Sequence, residues 1–144
     1  DNINYKLGKA QVVYDNVGTA DSAVTLLAAG PLVHQAMRAA ETLQARGVGA
    51  VVVNASCINH PDVTTIKAAL AKTNGKLLTI EDHQLIAGMG AMASHALLLA
   101  DVSFQCRSLA VGGEFGQSAY SADELYHKHG LDAEAIVKTA QAFI

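Results

Sequence analysis

A chain of 144 residues with 51% apolar side chains, 16% charged ones and a formal net charge of -3 has the balance of one globular core and lies far from intrinsic disorder. No basic block marks a nucleic-acid binder, and no apolar run approaches the roughly 20 residues of a membrane-spanning helix. The two cysteines, Cys57 and Cys106, form no CxxC pair and fit buried thiols of a reducing cytoplasm better than a disulfide framework. The first ten residues contain no apolar export core, and the polar start without methionine points to a fragment of a longer protein.

Lys9 to Tyr14 alternates loosely and ends in the Asp15-Asn16-Val17-Gly18 turn, which predicts a short edge strand. Ala23 to Ala28 reads as a strand covered on both faces. Gly30-Pro31 then opens a helix, because proline loses nothing in a first turn. Leu32, Ala36, Ala39, Ala40 and Leu43 recur at helical spacing, and Gly47 ends the run. Val48 to Val53 is the next buried strand. Asp62 is an N-cap candidate for a helix that turns Ile66, Ala69 and Leu70 inward and stops at Asn74-Gly75.

Leu77 to Ile80 predicts another buried strand, followed by a polar turn at Glu81-Asp82-His83. A glycine hinge, Gly88-Met89-Gly90, leads into a small-residue helix from about Ala91 to Leu99. Ser108 to Val111 is a short last strand that breaks at Gly112-Gly113. Ser121-Ala122-Asp123-Glu124 is a capping box for a helix to about His129, and Asp132 caps a final helix through Ala142. Strands that alternate with helices and read as continuous apolar runs give a three-layer αβα sandwich around a mainly parallel sheet.

Chemistry is harder to find. Gly88 to Ala93 fits the GxGxxG/A pattern, but about seven residues separate it from Ile80, whereas a dinucleotide site turns directly off its strand. Glu81-Asp82-His83 sits at the carboxyl end of a central strand, where α/β proteins place sites. Neighbours on an extended chain point opposite ways, so the three are expected not to converge and to form a structural or interfacial cluster. Histidines 34, 60, 83, 95, 127 and 129 show no ligand spacing, Cys57 has no base placed beside it, and Gly112 to Ser118 reads as a connecting loop.

Tyr5 to Val13, Thr25 to Leu43, Gly75 to Ala91 and Phe115 to Val137 together resemble the C-terminal domain of transketolase. The third domains of deoxyxylulose-phosphate synthase and of E1 β subunits share the pattern more loosely. The resemblance implies a five-stranded mixed sheet in the order 1-3-2-4-5 with strand one antiparallel, and a crevice faced by Gly30-Pro31 and Glu81-Asp82-His83. It implies a whole enzyme that is homodimeric, cytoplasmic and part of the pentose phosphate pathway. That enzyme moves a two-carbon ketol unit between sugar phosphates with thiamine diphosphate and Mg (or Ca). The family's GDG…N diphosphate stretch is missing here, so no catalytic, cofactor-binding or metal residue carries over and no cofactor is expected in this fragment. Gly30, Glu81, Asp82, His83, Gly88 and Gly90 carry over as crevice or interface positions only. Residues 1–144 are then expected to form one scaffold domain that partners the cofactor- and pyrimidine-binding domains. The alternatives are the third domain of a related thiamine enzyme, or a small-ligand regulatory module.

Overall fold

The computed structural model describes residues 6–112 and 121–144. Its elements follow the order β1 (Gln11–Asp15), β2 (Ser22–Ala28), α1 (Leu32–Ala45), β3 (Val48–Asn54), α2 (Val63–Lys72), β4 (Lys76–Gln84), α3 (Met89–Leu99), β5 (Gln105–Val111), α4 (Ala122–Lys128) and α5 (Ala133–Gln141). The sheet order is β1-β3-β2-β4-β5. Only β1 runs antiparallel, from Gln11 opposite Asn54 to Asp15 opposite Val51. The other pairs are parallel, with Leu26 beside Val52 on one side and beside Leu78 on the other.

Strand periodicity divides the core. Leu26, Val52, Leu78 and Ile80 point to one face and pack under Leu32, Ala36, Ala40, Ile136 and Val137 of α1 and α5. Leu27, Val51, Val53 and Leu77 point to the other and pack under Ile66 and Leu70 of α2 and Met89, Ala93 and Leu97 of α3. Each fully buried leucine contributes about 1.5–3 kcal/mol relative to an exposed one, so the two half-cores hold the sandwich together.

Three helices, α2, α4 and α5, carry a side-chain cap within three residues. Asp62 Oδ1 accepts from Thr65 N at 3.3 Å, Ser121 Oγ from Glu124 N at 3.3 Å and Asp132 Oδ1 from Ala135 N at 3.0 Å. Gly47, Gly75 and Gly130 take positive φ just beyond helix ends, where a side chain would be strained.

Four expectations need correction. Glu81-Asp82-His83 is no turn, since β4 continues to Gln84. The glycine pair is no hinge: Gly88 is the N-cap of α3, and Met89 and Gly90 are its first turn. β5 starts at Gln105, because parallel pairing with Lys76 recruits polar residues that lack strand patterning. Cys57 and Cys106 are half-buried rather than buried, since one follows a strand end and the other lies on an edge strand. Of the loop expected over Gly112 to Ser118, residues 113–118 lie outside the described ones.

Candidate functional site

The corner between β4 and α3 is built around Glu81. β4 and β5 pair regularly up to Ile80 opposite Leu109, and then Gln84 lies opposite Val111. Three β4 residues therefore face a single β5 residue, and the strand bulges at Glu81, Asp82 and His83. Glu81 is fully buried. Its two carboxylate oxygens accept from the backbone amides that open α3, Oε2 from Met89 N at 2.5 Å and Oε1 from Gly90 N at 3.0 Å. The helix dipole favours negative charge there, and two otherwise unpartnered N–H groups are satisfied.

The glycines make this approach possible. A Cβ on Gly88 would run into the Gln84 carbonyl oxygen and lie 2.5 Å from Glu81 Oε2. One on Gly90 would lie 2.5 Å from Thr79 Oγ1, which itself donates to Ser108 Oγ at 2.8 Å. Strand, carboxylate and helix start are thus in backbone contact.

The bulge also changes what the acid-acid-histidine run does. His83 Nδ1 lies 3.6 Å from Asp82 Oδ1 and 3.9 Å from Glu81 Oε2, so the three side chains do draw together, contrary to the expectation for a regular strand. Asp82 and His83 face outward into a cleft of about 630 Å³ at the carboxyl ends of β4 and β5. Ile86, Met89, Leu125 and Tyr126 supply much of its apolar wall, and His129 stands across from the β4 end. Burial, then the charges of Asp82 and Asp123, hold the Tyr126 hydroxyl above its ordinary pKa, so its protonated form persists.

Gly30 sits elsewhere. It takes φ +57° after β2 and lines a separate hollow of about 310 Å³ with Gln11, Asn54 and Ser56. Ile58 borders both hollows, which divides the crevice expected at the β2–β4 switch point. Sequence reasoning missed Tyr126 and His129 as cleft residues, because only the fold returns α4 to the β4 end, and it missed Ile86 in the connection between β4 and α3. It also missed Gln35, a buried polar residue on α1. Gln35 Nε2 donates to Asp123 Oδ1 and its Oε1 accepts from Ala133 N, both at 3.1 Å, so one side chain ties α4 and α5 to α1.

The seven-residue gap used against a dinucleotide site shrinks to three residues, because β4 extends to Gln84. What stands against an anion is Glu81, which already holds the amides a phosphate would need. No lysine or arginine lines the cleft among the described residues. No three His, Cys, Asp or Glu side chains among them converge on a metal position. These residues therefore do not fit a diphosphate or its divalent cation.

Fold and corner define a class: a five-stranded αβα domain with one reversed edge strand, whose switch-point helix is capped from within. The transketolase C-terminal domain model matches residues 14–136, and the chain belongs to that family. It is 31% identical to one of the subunits of the apulose-4-phosphate transketolase of Phocaeicola vulgatus, over all of this chain and 43% of that relative. It is 31% identical to the transketolase of Rattus norvegicus, over all of this chain and 22% of that enzyme. A split-gene transketolase solved as an inactive β4 tetramer superposes with a TM-score of 0.81 at 25% identity, covering 99% of this chain and 43% of that one. The chain thus spans less than half the length of these relatives. No helix among the described residues is long and apolar enough to cross a membrane.

Proposed function

We propose that residues 1–144 form the third domain of a transketolase, a scaffold that carries no catalytic residue and packs against the domains that bind thiamine diphosphate and its divalent cation. The whole enzyme is then a homodimer that transfers a two-carbon ketol unit between sugar phosphates. Thiamine diphosphate would supply the electron sink for that chemistry, and no step of it is routed through this chain. The supporting observation is the Glu81 corner, where the natural anion position of the switch point is filled by the domain's own buried carboxylate. Family membership supports the same reading.

The test is turnover with sugar phosphates, thiamine diphosphate and magnesium. The chain alone is expected to be inactive, and mixing it with the section that carries the cofactor-binding domains from the same source is expected to give activity. Robust turnover by the chain alone would overturn the proposal. The 630 Å³ cleft favours a second reading, a small-ligand regulatory site. A thermal-shift screen with sugar phosphates and nucleotides decides it: a ligand at 100 times its Kd stabilises by about 2.7 kcal/mol, and no shift with any of them rejects it.

A further inference from the structure

α3 is largely apolar all round, with His95 as its one exposed titratable side chain. Its eleven residues include no Asp, Glu, Lys or Arg, and a helix of that kind is ordinarily enclosed by protein. Met89, Gly90, Ala93 and Leu97 satisfy the sheet side. On the opposite side Met92, Leu98 and Leu99 are 39%, 63% and 74% exposed, and Ile86 at the helix approach is 86% exposed. Met92 and Leu99 are seven residues apart and share one helix stripe, with His95 between them. An uncharged helix face of this kind points to a protein partner.

Two observations identify the occupant. The chain enters the fold on the α2–α3 side: Ala10 packs in the half-core that contains Met89, Ala93 and Leu97, and its amide donates to Asp62 Oδ2 at the start of α2. In a C-terminal domain the rest of the body precedes this point in sequence, so its link arrives on the layer that leaves α3 uncovered. Size points the same way. α3 is about 16 Å long, and one face of such a helix falls short of the ~800 Å² per partner of a stable interface. A second copy meeting α3 to α3 would bury too little, whereas a body that also receives the incoming chain adds contacts.

We infer that the outer face of α3, with Met92, Leu98 and Leu99 flanking His95, is the surface on which the preceding transketolase domains dock, and that their matching surface is mainly aliphatic. This rests on the scaffold reading above and adds the face that it uses.

The test is binding of the chain to the cofactor-domain section from the same source, measured by sedimentation for wild type, L98E/L99E and R38E. Arg38 is exposed on α1, in the opposite layer, and serves as the control with the same change of charge. Circular dichroism and melting of each variant alone verify folding. L98E/L99E is expected to weaken association at least tenfold with its fold intact, and R38E to leave it unchanged. If wild type binds and L98E/L99E binds equally well, the α3 inference is wrong and the scaffold reading survives. If wild type does not bind, both fall. If the chain alone is a dimer that L98E/L99E converts to monomer, a second copy is the occupant and the inference is overturned.

Discussion

α2 and α3 lie in the same layer and are capped in opposite ways. α2 opens on Asp62, one residue before the helix, whose carboxylate accepts from Thr65 N, from Thr65 Oγ1 at 2.7 Å and from Ala10 N at 3.1 Å. Burial pushes the Asp62 pKa up, but the bonds from Thr65 and Ala10 and the charge of Lys9 outweigh it and leave it below its ordinary value. α3 opens on Gly88, which has no side chain to offer, and its cap reaches in from β4. The bonds from Thr65 fix only where α2 begins, and the bond from Ala10 ties the entering chain to it. A cap from a neighbouring strand also fixes the distance between helix and sheet, and here it takes up the anion position of the switch point.

The largest expected effect comes from emptying the second arrangement. Glu81→Ala leaves the Met89 and Gly90 amides buried without acceptors, and at about 1–3 kcal/mol each the loss is expected to reach about 2–6 kcal/mol in a urea melt. Gly90→Val comes next. Its Cβ meets Thr79 Oγ1, which is held by Ser108, so overpacking of about 3 kcal/mol is expected. Unchanged melting in that variant would mean that α3 does not touch the sheet there. Ser121→Ala, which removes a cap that acts within three residues, is expected to cost about 1 kcal/mol. If it equals Glu81→Ala in cost, the contrast between the two kinds of cap fails.

The smallest effect is at α5. His127 Nδ1 and Asp132 Oδ2 are 2.6 Å apart. The hydrogen bond and charge of Asp132 raise the His127 pKa. At Asp132 burial raises the pKa, but the bonds from Ala135 and His127 lower it overall. A raised histidine stabilises fully below its unfolded pKa and loses that contribution as pH rises through the folded value. A lowered carboxyl stabilises above its unfolded pKa and loses that contribution as pH falls through the folded value. The pair is therefore strongest between about pH 4 and 6.5. His127→Gln is expected to lower Tm slightly at about pH 5.5 and to leave it unchanged at about pH 8.5. Equal shifts at both pH values would show that the pair does not act through charge.

The same contrast separates what was legible in the sequence from what was not. Asp62, Ser121 and Asp132 announce their helices because cap and amide lie within three residues. The buried faces of α1 and α2 follow directly from 3.6-residue spacing. Element order and the mainly parallel sheet follow from apolar runs between helical patterns. Glu81 could not be read this way, since its partners lie eight and nine residues ahead and meet it only once β4 and α3 have packed. The bulge that gathers Asp82 and His83 depends on the register with β5, which no pattern local to β4 reveals. The start of β5 is hidden because Gln105 and Arg107 are exposed and polar, and only pairing makes them strand. Gln35 stands on the buried face of α1, where its partners come from α4 and α5, about ninety residues further on.

The most direct measurement takes Glu81→Gln into the assembled enzyme and records kcat and Tm together. A domain whose buried acid serves only to seat a helix is expected to lose Tm and keep kcat within about twofold. A collapse of kcat by about a hundredfold or more at unchanged Tm would make Glu81 part of the chemistry and contradict the scaffold.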